Sequence, residues 1–207
     1  MITAETLVST DKNDLPSLSK ALGAEDIALL VEWLSDKDDK LRYSSLLILQ
    51  NIANESNSTY KYWDLYRDKL KSDNSYQRSI GLMMIAANVK WDSRGKFETS
   101  FEDFCALLND EKPITIRQCI QAFSGIVPHK PELNVKIAEK LMAIDILSAR
   151  ETMRKLFLLD IINILLPIQK DHPSGAIEKY ITDALTGGIL DSKSKKAIQS
   201  ALKTVSE

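Results

Sequence analysis

Apolar residues recur along this chain at the three-and-four spacing of helices rather than in strict alternation. Ile27, Leu30, Val31 and Leu34 mark one face of an early segment, and Phe101, Phe104, Cys105 and Leu108 mark one face of a later one. Other segments are apolar around most of their circumference: Leu46-Leu47-Ile48-Leu49, Leu82-Met83-Met84-Ile85 and Leu156-Phe157-Leu158-Leu159. A helix that is apolar nearly all round must be buried on several sides. The pattern therefore predicts helix pairs in two layers, with an amphipathic first helix outside and an apolar second helix inside. No stretch alternates apolar and polar residues between turn dipeptides, so strands are not expected.

Helix punctuation agrees with this. Pro16, Pro113 and Pro131 suit first turns, whereas Pro128, Pro167 and Pro173 suit helix ends or the connections after them. Caps are expected at Asp38 or Asp39 before Leu41 and at Asp73 or Ser75 before Ile80. Thr99 with Glu102, and Ser148 with Glu151, have the capping-box spacing. Two short helical stretches, opened by Thr3 and by Asp14-Leu15-Pro16, precede the regular pattern and read as a cap over residues 1–23.

The connections themselves repeat. An acidic turn runs into a basic residue at Arg42, Arg78, Arg117, Arg154 and, more loosely, Lys196, at separations of 36, 39, 37 and 42 positions. A repeat of about 37 residues holding two helices is the signature of a helical solenoid. The acidic turn followed by Arg at the head of an apolar second helix resembles HEAT and armadillo-type repeats, over about residues 24 to 206. The family's first-helix proline is absent, and Lys196 replaces the last Arg. The expected fold is all-α, a two-layer α-solenoid of about five HEAT-like helix pairs in a single domain, 1–207. The repeats span about 24–56, 57–92, 97–128, 131–168 and 174–206. The resemblance alone implies a right-handed superhelix, in which the turn acid and the Arg link adjacent repeats.

Polar residues in the apolar second helices are the candidate handholds. Asn51, Asn88 and Asn163 lie nine or ten residues after Arg42, Arg78 and Arg154, with Gln121 and Ser124 near the same level. An amide both donates and accepts, as a peptide backbone does, so a stripe of amides suits an extended peptide. In armadillo-type proteins inner-helix asparagines hold a peptide backbone, and the resemblance implies the same here. The other outcome is that these residues face solvent or fill packing defects. Asp160 is the only charge between Phe157 and Gln169. Buried without a partner it would titrate high, as a general acid or base requires; facing the groove beside Asn163 it would be an ordinary solvated carboxylate.

Composition narrows the chemistry. The 207 residues are 44% hydrophobic, with 27 basic against 29 acidic side chains, which excludes a disordered chain. Cys105 and Cys119 sit among apolar neighbours and read as buried thiols. His129 and His172 lie in connections, and zinc-ligand, phosphate-loop and nucleophile-elbow motifs do not occur. No catalytic residue, cofactor or metal is therefore expected. No apolar run is long enough for a membrane span, and the first residues lack the order of a signal peptide, so no membrane association and a cytoplasmic location are expected. Residues 60–96 carry eight basic and four acidic side chains, a net +4, interleaved with Tyr60, Tyr62, Trp63, Tyr66, Tyr76 and Trp91. Basic residues among aromatics can grip phosphates and stack on bases. The expected function is a non-catalytic scaffold or adaptor holding a protein or extended peptide on its concave face. The alternative is a DNA-binding protein, by a weaker resemblance to HEAT-like alkylation-repair glycosylases. The net charge of −2 weighs against tracking phosphates.

Overall fold

The computed structural model describes residues 1–206, with side chains as far as Lys203, and every regular element among them is helical. The chain falls into two compact units, residues 1–104 and 105–207.

The first unit opens with two short helices, α1 (Ala4–Ser9) and α2 (Leu15–Ser19), followed by α3 (Ala24–Trp33) and α4 (Asp39–Glu55). A 3-10 segment, Asn57–Tyr62, runs into α5 (Trp63–Lys69), and α6 (Ser75–Asn88) comes next. The unit boundary falls within α7 (Lys96–Ala106). Beyond it lie α8 (Pro113–Ile126), α9 (Asn134–Met142), α10 (Glu151–Asp171), α11 (Gly175–Thr186) and α12 (Ser192–Ser206). From α3 onward the elements alternate along the chain as first and second helices.

Each unit is organised around one second helix. In the first, α1, α2, α3 and α6 all pack on α4, which buries Leu41, Leu46, Ile48, Leu49 and Ile52. In the second, α8, α9, α11 and α12 pack on α10, which buries Phe157, Leu158, Ile161, Ile162, Leu165 and Ile168. Each such Leu or Ile contributes about 1.5–3 kcal/mol, against about 0–1 kcal/mol for an exposed ion pair, so apolar packing between helices holds both units. The second helices are less uniformly buried than their composition suggests. Leu47 and Met83 in the first two apolar runs, and both Leu156 and Leu159 in the third, are only half-buried and mark an open side.

The arginines at the heads of second helices have a local task. Arg42 donates to the carbonyl of Asp36 (2.8 Å), Arg78 to those of Ser72 (2.8 Å) and Asp73 (3.0 Å), and Arg154 to that of Ala149 (3.0 Å). Each guanidinium thus satisfies carbonyls that the turn before its helix leaves without backbone donors. Arg117 differs, and reaches instead to Asp160 on α10.

Several caps depart from expectation. Asp38 does cap α4, accepting from the N–H groups of Lys40 and Leu41, but α6 is capped by Asn74, which accepts from Tyr76 N–H (2.9 Å). Thr99 caps nothing: α7 starts earlier, at Lys96, because the Asp92 carboxylate accepts from the N–H groups of Lys96 and Phe97 (both 2.9 Å). Ser148 is drawn into a turn around Asp145, so α10 begins at Glu151 with Arg150 at its cap position. Pro167 does not end α10, which runs on to Asp171. A helix-interior proline removes one backbone bond, here to the carbonyl of Asn163. Both residues are exposed, so water can take that acceptor.

Candidate binding surface

The six polar residues expected to form a stripe divide into three situations. Asn88 is a correction: it is fully buried, its amide donates to the carbonyl of Met84 (2.8 Å), and its oxygen accepts from the Thr59 hydroxyl (2.7 Å). The reason is one residue of register. Asn51 and Asn163 follow their arginines by nine positions and Asn88 by ten, and one residue rotates a side chain by about 100° around a helix. Ala87, half-buried, occupies the position equivalent to Asn51, while Asn88 turns into the core.

Gln121 and Asp160 are brought together. Arg117 and Gln121, one turn apart on α8, both donate to the same carboxylate oxygen of Asp160, from Nε (2.7 Å) and Nε2 (3.1 Å). The Asp160 side chain is 14% exposed and that of Arg117 29%, so the pair is sheltered without being sealed. Asp160 is therefore neither an unpartnered buried acid nor a solvated one; it is a tie between α8 and α10. Ser124 and Asn163 flank this tie and are exposed, although Ser124 turns its hydroxyl back onto the Gln121 carbonyl (2.7 Å). Asn51 is half-buried on α4.

The structure adds exposed aromatic residues to this surface. Tyr43 and Tyr76, in the first turns of α4 and α6, are 48% and 64% exposed. Lys12 lies over the Tyr43 ring (4.9 Å) and Arg42 over that of Tyr76 (5.3 Å), each a cation-π contact. At helical spacing from Tyr43 come Leu47 and Asn51, and from Tyr76 comes Met83, all half-buried. Large apolar side chains with one amide thus line the open side of two neighbouring second helices. The available signal was a tyrosine within two residues of Arg42 and of Arg78.

The aromatic segment divides in the same way. Trp63 and Tyr66 are completely buried on α5 and serve packing. Burial, with a lesser effect from Tyr62, pushes the Tyr66 phenol upward. Tyr60 and Trp91 stay half-buried at the edge of the unit with their polar tips engaged: the Tyr60 hydroxyl donates to Asp92 (2.6 Å), and the Trp91 indole N–H to the Ala53 carbonyl (2.7 Å). Burial chiefly, then the bond to Asp92, raises the Tyr60 phenol. Lys96 bridges to Asp64 (3.0 Å) and sits over the Tyr60 ring.

Chemically reactive groups are not concentrated anywhere on this surface. Both cysteines are buried reduced thiols, and burial pushes that of Cys119 well above its ordinary range. Among the described residues no three His, Cys, Asp or Glu side chains gather to hold a metal ion. No described helix is long and apolar enough to cross a membrane.

No family model and no curated protein matches the chain. Among solved structures, a crystal structure of an engineered protein aligns with 100% of this chain and 97% of its own, at 18% identity and a TM-score of 0.55. A likeness at that identity bears on the helical fold alone.

Proposed function

We propose that the chain is a HEAT-like solenoid, its five helix pairs stacked as one right-handed superhelix, that acts as a non-catalytic scaffold for an extended peptide or protein. Stacking is supported by second helices packing on second helices within each unit, α4 on α6, α8 on α10 and α10 on α12, and by first helix α9 against α11. It is supported again by Arg42, Arg78 and Arg154, each of which donates to a carbonyl five or six residues back in the turn before its helix. The binding role rests on one observation: Tyr43, Leu47, Asn51, Tyr76 and Met83 reach solvent on the open side of α4 and α6. Exposed tyrosines are rigid anchors that lose little entropy on binding, and a nearby amide can take a backbone N–H and C=O.

Selection of linear peptides from a random display library, followed by fluorescence anisotropy, tests this. Tyr43→Ala and Tyr76→Ala should each weaken a selected peptide by about tenfold, in the range of an interface anchor. Val135→Ser, at an exposed apolar residue of the first helix α9, should leave it unchanged. The reverse pattern would place binding on the other layer and overturn the reading. Salt-sensitive binding of duplex DNA, lost in Arg94→Glu or Lys96→Glu, would favour the DNA-binding alternative.

A further inference from the structure

Where α4 and α6 end, the first unit contains a cavity of about 730 Å3 that the scaffold role does not use. It opens between the start of α3, the 3-10 segment 57–62 and the residues following Trp91. Three of its lining residues are cations, Lys61, Arg94 and Lys96, and no Asp or Glu lines it. Carboxylates close to it are already engaged, Asp26 by the N–H groups of Ile2 and Gly23, Asp64 by Lys96, and Asp92 by Tyr60 and the backbone of α7. Among the described residues Lys61 and Arg94 form no ion pair with a carboxylate; Lys61 lies over the Tyr62 ring (5.0 Å). Two aromatic residues, Tyr60 and Trp91, complete the wall. The hydroxyl of one and the indole N–H of the other are bonded to the protein, and Lys96 lies over the Tyr60 ring (5.8 Å) and Lys90 over the Trp91 ring (4.9 Å), so what they offer a ligand is the remaining ring surface.

We propose that this cavity binds a mononucleotide-sized ligand, a phosphate group joined to a flat ring. Arg94 and Lys61 take the phosphate, for which guanidinium and ammonium groups without a carboxylate partner are suited, and Tyr60 and Trp91 face the ring. The volume falls in the range of small-molecule sites, and an inorganic ion would leave most of it unfilled. This goes beyond the scaffold reading and does not depend on it, since the cavity lies at the C-terminal ends of α4 and α6 whereas Tyr43 and Tyr76 stand at their N-terminal ends.

Isothermal titration of the full chain at low salt tests the proposal, with adenosine 5′-monophosphate, adenosine and inorganic phosphate as separate probes. The monophosphate should bind saturably, and adenosine and phosphate should each bind at least about tenfold more weakly. Arg94→Ala combined with Lys61→Ala should weaken the monophosphate by at least about tenfold. Both side chains are exposed, so the melting curve of this variant should match the parent. Binding no tighter than about 1 mM, equal binding of phosphate, or unchanged binding in the double variant would overturn it. Binding confined to single-stranded oligonucleotides would also overturn it, in favour of a strand-tracking surface.

Discussion

Gly81 offers a sharp test of how the first unit is packed, because helix propensity and tertiary contact disagree there in sign. It lies in the middle of α6, where replacing glycine by alanine ordinarily stabilises by about 0.5–1 kcal/mol. A Cβ at this position would lie 2.7 Å from the carbonyl oxygen of Tyr66, against 3.4 Å for ordinary contact, a deficit of about 0.7 Å. The backbone nitrogen of Leu70, at 3.2 Å, and its Cδ2, at 3.1 Å, close the same space. Two of these three atoms are backbone, so no change of rotamer relieves the overlap and α5 must move off α6. Overpacking of this kind costs about 1–3 kcal/mol and occasionally more. Less the propensity gain, the expected net effect of Gly81→Ala is a loss of about 0.5–2 kcal/mol. At about 2–4 °C per kcal/mol for a chain of this size, the melting temperature should fall by about 1–8 °C. Thermal and urea melts followed by circular dichroism read this directly. Gly175→Ala, where an added Cβ meets nothing within 4 Å, should melt at or slightly above the parent temperature. A Gly81→Ala protein as stable as the parent would refute the close approach of α5 to α6.

Other outcomes follow from the same coordinates. The Tyr66 hydroxyl is buried with no hydrogen-bond partner, so Tyr66→Phe should stabilise by about 1 kcal/mol in a urea melt. Asn88→Ala removes the acceptor of the buried Thr59 hydroxyl and should cost about 1–3 kcal/mol, while affinity for a selected peptide stays unchanged. Burial raises the phenols of Tyr60, Tyr66 and Tyr180, the last to about 12, against about 10 in the unfolded chain. A raised folded pKa contributes stability that is complete below the unfolded value and is lost as pH rises through the folded one. Melts should therefore be flat up to about pH 10 and fall steeply toward pH 12. Absorbance at the phenolate band should show these three tyrosines ionising only as the chain unfolds.

The helices and their alternation could be read from the sequence because both rest on burial, which leaves a period that survives tolerance at single positions. Ile27, Leu30, Val31 and Leu34 are all buried, as are Phe101, Phe104, Cys105 and Leu108. What escaped was anything decided by one residue or by competition between equals. Asn88 and Asn51 differ by one position of register, and that alone separates a core hydrogen bond from a surface amide. Thr99 has a plausible capping partner in Glu102, yet the Asp92 carboxylate begins the helix a turn earlier with two strong acceptor bonds. Arg117 sits in the repeat register of Arg42 and Arg78, but a carboxylate on α10 draws it away from its own turn. Tyr43 was hidden for a different reason: in an apolar helix an aromatic residue reads as core, and only coordinates reveal that it faces out.

Chemical-shift mapping of the isotope-labelled chain against a selected extended peptide tests the scaffold reading most directly. The account predicts perturbations centred on Tyr43, Leu47, Asn51, Tyr76 and Met83. Perturbations centred instead on the first helix α9, around Val135, would contradict it.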